Sequence, residues 1–121
     1  MAQEYKYKRT QRIAKEIKKN ISIILQKKIK DNRIKMATIS KVEISSDLYY
    51  AKIFFTLLYD TPEQIKISLK VLKNASGFIR FLLSKNMLLR RIIEINFFYD
   101  NSLVEGIKIY NIIKNTYKVN E

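Results

Sequence analysis

Residues 61–87 read TPEQIKISLKVLKNASGFIRFLLSKNM, and this stretch decides the fold. Thr61 stands at capping-box spacing from Gln64, and Pro62 fits a first helical position, where its missing N–H is no loss. Apolar residues then recur at helical intervals as far as Ala75-Ser76-Gly77, and again through Phe78, Ile79, Leu82 and Leu83 to about Met87. Gly77 is one of only two glycines in the chain. A mid-helix glycine costs about 1 kcal/mol against alanine. The expectation is therefore a helix, a kink at Ala75 and Gly77, and a second helix. On a helical net Lys66, Lys70, Lys73, Gly77, Arg80 and Ser84 form one stripe. Two readings fit it. A bare backbone spot among cations suits close approach to a phosphate chain; a plain break between helices with a solvated lysine face accounts for it equally.

On the N-terminal side, Tyr49, Ala51, Ile53, Phe55 and Leu57 alternate with Tyr50, Lys52, Phe54, Thr56 and Leu58, the period of a strand. Ala37 to Ile44 is strand-like as well, with Val42 and Ile44 on the core face. Ser45-Ser46-Asp47 turns the chain, and so short a link pairs the two strands antiparallel. From about Thr10, the residues Ile13, Ile17, Ile21, Ile24, Leu25 and Ile29 make an apolar stripe opposite Arg12, Lys15, Lys19, Ser22 and Gln26. That is a long amphipathic helix ending near Lys30, with Lys27, Lys28 and Lys30 suited to the negative end of its dipole. Residues 1–9 read as a basic, partly ordered arm, and Asp31-Asn32-Arg33 as a turn.

On the C-terminal side, Ile95 to Tyr99 reads as a third strand. Ser102 to Glu105 is a second capping box that opens a last helix, with Leu103, Ile107, Tyr110 and Ile113 on one face, before a short tail at 118–121. Repeats and linker-like tracts are absent, so residues 1–121 are expected to form one domain. The order specifies an α+β fold: a three-stranded sheet with helices on one face.

Composition narrows the function. The net charge is +13, which points to a polyanion, either nucleic acid or an anionic membrane. Ile, Lys and Asn are all over-used, so codon bias accounts for part of the lysine content. The charge is uneven: residues 1–35 hold 12 basic and 3 acidic side chains. His and Cys are both missing, which excludes thiolate nucleophiles, His bases and zinc sites built on either. Of the carboxylates near strands, Glu43, Asp47, Glu94 and Asp100, the aspartates read as turn and capping residues. Neither catalysis nor a metal or other cofactor is expected. No apolar run reaches the ~18 residues of a membrane span, and the expectation is a soluble, cytoplasmic protein.

The order of elements resembles the type II KH fold of RNA-binding proteins, although the GXXG loop that clamps nucleotides in an ordinary KH domain is missing. Ala75-Ser76-Gly77-Phe78-Ile79-Arg80 resembles instead the Ala-x-Gly kink of the ribosome-binding factor A family. The likeness covers nearly the whole chain. Arg9 and Arg12 head the first helix as in that family. Ile29-Lys30-Asp31-Asn32-Arg33 is similar to its I-K-D-P-R turn, and Ser45-Ser46-Asp47-Leu48 with Tyr50-Ala51-Lys52-Ile53 to its hairpin. Phe97-Phe98-Tyr99-Asp100-Asn101-Ser102 is similar to its F-x-x-D-x-S ending. Asn32 and Ile93 stand where the family has prolines, which leaves the start of the last strand less constrained.

The resemblance implies a bacterial assembly factor that binds the free small (30S) ribosomal subunit and its 16S rRNA late in maturation. It further implies support for processing of the precursor's 5′ end, a part in cold adaptation, and action as a monomer away from membranes. Candidate RNA-contacting residues are Lys66, Lys70, Lys73, Ser76 and Arg80 on the central stripe. Arg9, Arg12, Lys15 and Lys19 on the first helix, with Arg33 and Lys35 beyond it, form a second surface. Arg90 and Arg91 extend either surface or merely flank a strand. Tyr50 and Phe54, beside Lys52, either stack bases or lie under the chain's own ends. The rival reading is a membrane-surface or protein-docking module that uses the apolar stripe of the first helix.

Overall fold

The computed structural model describes residues 2–29, 31–34, 37–87 and 93–102, with side chains in the first helix from Lys8 onward. Helix α1 spans Ala2–Lys27, strands β1 and β2 span Ala37–Ile44 and Tyr50–Leu57, helix α2 spans Pro62–Met87, and β3 spans Glu94–Tyr99. A 3-10 turn at Asn32–Ile34 joins α1 to β1. The sheet order is β1-β2-β3, with β1 and β2 antiparallel and β2 and β3 parallel. This is the expected α+β arrangement. The C-terminal helix expected after Ser102 lies outside the described residues.

Each element buries the face its periodicity marks. From α1 come Ile17, Ile21, Ile24 and Leu25, and from α2 come Val71, Leu72, Ile79 and Leu83. The sheet adds Ile39, Ala51, Ile53, Phe55 and Ile95 from below, and Ile34 closes one end. Both helices therefore lie on one face of the sheet. Ile93, standing in for a proline, is itself 4% exposed, so its side chain anchors the start of β3 in the core.

The hairpin turn is built from side chains as much as backbone. Ser45 Oγ donates to Asp47 Oδ1 at 2.6 Å, and Tyr49 N donates to the same oxygen at 3.1 Å. Leu48 takes φ 63°, a left-handed conformation unusual for a non-glycine residue. In β1 the register shifts between Ile39 and Lys41, so Ser40 is an extra residue. Its Oγ donates to Asp100 Oδ2 at 2.6 Å, while Asp100 Oδ1 accepts Ser102 N at 2.9 Å. Asp47 thus performs the turn role expected of it, while Asp100 turns the chain onto Ser102 and clasps Ser40, the helix it was expected to cap lying outside the described residues.

Two expectations need correction. Residues 2–9 are not an arm but the first turns of α1. They contain neither Gly nor Pro, the residues that most disfavour a helix. The helix pair around Ala75-Ser76-Gly77 is also a single helix, unbroken from Pro62 to Met87. One glycine costs too little to interrupt a helix whose flanks are held by buried Val71, Leu72, Ile79 and Leu83.

Candidate nucleic-acid interface

The N-terminus of α2 is fixed by Thr61, whose Oγ1 accepts the Gln64 N–H at 3.3 Å and whose carbonyl accepts Ile65 N at 3.0 Å. With its start and buried face set, the remaining faces of α2 follow from 3.6-residue geometry. Lys66, Lys70 and Lys73 are exposed, and none of them forms a salt bridge among the described residues. Arg80 is half-buried, with its Nε out of solvent and without an acceptor among the described residues. Ser76 is half-buried too, and its hydroxyl donates to the Lys73 carbonyl at 2.7 Å, so it carries no free donor.

A groove of about 290 Å³ runs between α2 and β3, lined by Leu69, Lys73 and Ser76 on the helix side and by Ile95, Asn96, Phe97 and Phe98 on the strand side. Two of the expected residues, Lys73 and Ser76, therefore meet at the lip of a cleft. Gly77 faces open space: a Cβ there would touch nothing within 4 Å. Nothing in the described fold requires a glycine at that point. Ala75 packs against the core and Gly77 lies on an open surface, and the helix passes through both without a break.

On α1, Arg9, Arg12, Lys15 and Lys19 are exposed. The apolar stripe of the same helix is taken up by the core, where Ile17, Ile21, Ile24 and Leu25 are 4% exposed or less. A membrane-docking use of that stripe is therefore ruled out by its packing against the sheet. Arg33 belongs to a different environment. Its Nε and Nη2 donate to the two oxygens of Asp31 at 2.9 and 2.6 Å. This fork holds the Asp31 carboxyl down at about 2 and raises the Arg33 guanidinium further. Arg33 is thus committed within the chain, unlike the cations of α2. Lys35, Arg90 and Arg91 lie outside the described residues.

The outer face of the sheet carries a separate aromatic group. Phe54 and Phe98 stack at 5.6 Å between centroids, Lys41 Nζ lies 4.7 Å from the Phe54 ring, and Lys52 Nζ lies 5.8 Å from that of Phe98. Tyr50 remains 55% exposed. The charges here offset one another, Lys41 pairing with Glu43 at 3.2 Å, so this face lacks the excess of cations found on α2.

The sequence reading missed Phe78 and Phe81. It counted Phe78 in the apolar pattern, yet the two rings are 50% and 55% exposed. Their spacing held the signal: Phe81 lies one helical turn beyond Gly77, on the outward side. Asn96 and Phe98 of the groove were missed as well, because strand alternation does not tell which outward residues face a helix edge.

Comparison with known proteins agrees with this architecture. The family model for Ribosome-binding factor A matches residues 9–113. A Thermotoga maritima protein with a solution NMR structure is 34% identical, with TM-score 0.65 over 74% of this chain and 85% of that one. The crystal structure of ribosome-binding factor A from Thermus thermophilus shares the fold at 17% identity, with TM-score 0.65 over 74% of this chain and 94% of that one. The Thermus thermophilus factor as fitted into the cryo-EM map of its 30S complex superposes with TM-score 0.61 at 17% identity, over 72% of this chain and 90% of that one. With a match that spans most of its length and a relative this similar, the chain belongs to the ribosome-binding factor A family.

Proposed function

We propose that this protein is an assembly factor that binds the free small ribosomal subunit through its 16S rRNA, as one domain and as a monomer, without nucleotide, metal or catalysis of its own. The observation that carries the reading is the row of uncommitted cations along α2, Lys66, Lys70 and Lys73, exposed beside an open groove. Arg80 borders the row, and Arg9, Arg12, Lys15 and Lys19 of α1 supply a second cationic face on the same side of the sheet. Family membership supports the ribosome as target, and a Thermus thermophilus relative is known in a 30S complex. Support for processing of the precursor's 5′ end, a part in cold adaptation and a cytoplasmic location belong to the same proposal. Among the described residues no helix is long and apolar enough to cross a membrane.

Sucrose-gradient cosedimentation with free small subunits and with assembled ribosomes tests it. Recovery with the free subunit alone is the expected outcome, weakening steeply as salt rises because phosphate contacts release counterions. Lys70→Glu with Arg80→Glu reverses four units of charge on one surface and should abolish recovery while the fold persists. Equal recovery with assembled ribosomes, or an affinity indifferent to salt, contradicts the proposal.

A further inference from the structure

Gly77 opens a notch in the outer surface of α2, since a methyl group there would meet nothing within 4 Å. On a helix, positions three and four residues away on either side surround a given residue. For Gly77 they are Lys73, Asn74, Arg80 and Phe81. The rim thus holds two cations, an amide and an aromatic ring. Phe81 is 55% exposed and Phe78, three residues before it and so its neighbour on the helix surface, is 50% exposed, although the other side of the same helix packs into the core. Lys85 Nζ lies 5.1 Å from the Phe81 centroid, so a ring and a cation already share this exposed site.

We propose that the notch seats one unpaired nucleotide of RNA. The base stacks on Phe81 with Phe78 alongside, its edge meets the Asn74 amide, and the flanking phosphates lie on Lys73 and Arg80. This rests on the reading of α2 as an RNA-binding surface and adds to it a site for a single-stranded base. The chemistry selects the occupant. Within α2, Lys66, Lys70, Lys73, Arg80 and Lys85 face one acidic residue, Glu63. An apolar peptide leaves those cations unmatched, and a second copy of a chain carrying +13 is repelled. A duplex keeps its bases stacked on each other and has no free π-face for Phe81. An unpaired nucleotide supplies both the ring face and the charge. The missing side chain at Gly77 lets the sugar approach the helix backbone.

Fluorescence anisotropy of the full chain with a fluorescein-labelled 12-residue oligouridylate tests the seat, run beside small-subunit cosedimentation. Phe81→Ala should weaken oligonucleotide binding by about tenfold or more. It should leave the slope of affinity against salt unchanged, because no phosphate contact is lost. Phe81→Tyr should bind as the parent does and Phe81→Leu as the alanine variant does; Lys73→Gln should reduce the salt slope by about one. Phe78→Ala gives a second reading, and circular dichroism checks the fold of each variant. Parental affinity in Phe81→Leu would mean an apolar contact and overturn the proposal, as would parental affinity in Phe81→Ala. Loss of subunit binding with oligonucleotide binding intact would mean that this face meets protein, and would overturn it too. In the first two cases, parental affinity in Phe81→Leu or Phe81→Ala, the salt-dependent binding of the parent leaves the RNA reading of α2 standing. A parent that binds neither oligonucleotide nor subunit removes both.

Discussion

Replacing Gly77 with alanine tests whether α2 is one helix at its midpoint. The helix is unbroken from Pro62 to Met87, and the added methyl meets nothing within 4 Å, so no packing term opposes the change. What remains is helix propensity, which favours alanine by about 1 kcal/mol. For a chain of 121 residues the unfolding entropy near the midpoint is ~0.25 kcal/mol per kelvin, so Tm should rise by about 4 °C. Thermal unfolding followed by circular dichroism at neutral pH measures it. The same methyl intrudes on the notch, so oligonucleotide affinity should fall as stability rises. A Tm lowered by more than about 2 °C would refute the reasoning. It would mean that residue 77 leaves the helical conformation in solution, where alanine loses more than propensity returns.

Asp100 accepts hydrogen bonds from Ser102 and Ser40, which hold its carboxyl down at about 2. Its unfolded value is about 3.9, so its contribution to stability is full above about pH 4 and lost as pH falls towards 2. Asp100→Ala should destabilise near neutrality by about 1 kcal/mol, because the part-buried Ser40 hydroxyl loses its acceptor. Denaturant titrations across that window should show a shallower acid loss than in the parent, with Asp31 contributing to what remains. Leu48 at φ 63° is strained, and Leu48→Val should destabilise more than Leu48→Asn, because asparagine tolerates the left-handed region and a β-branched residue does not. Urea midpoints rank the three; Val at or above Asn would argue against the turn geometry. Phe55, fully buried with its ring 5.5 Å from that of Tyr99, should lose about 3–5 kcal/mol as alanine, measured by equilibrium unfolding.

The strands were legible because apolar residues alternate with others through β2 and through most of β1. Ala37 to Ile44 and the second strand lie where the pattern puts them, to within a residue. The bulge at Ser40 was not legible, since Ile39 and Val42 differ in spacing by an amount that a loop tolerates equally well. The misread arm and break have different causes. In α2, core packing on both flanks outweighs what a single glycine costs, and in α1 a charged end without Gly or Pro simply continues the helix that packs further on. The basic rows on both helices could be read from spacing alone. That Arg33 closes on Asp31 could have been suspected from two residues' separation, but the exposed phenylalanines needed the orientation of α2 about its axis, which only the sheet supplies.

The Ser40–Asp100 hydrogen bond joins residues sixty positions apart, from one outer strand of the sheet to the end of the other. A three-stranded sheet could otherwise lose either outer strand independently, β3 peeling from β2 while the hairpin stays shut. With the extra residue of β1 clasped to the end of β3, parting one border exposes a carboxylate and a hydroxyl on the other, so the two borders open as one cooperative unit. Amide hydrogen exchange then reports a common opening free energy for β1 near its bulge and for the end of β3. The groove beside α2 inherits that rigidity, because one of its walls is β3.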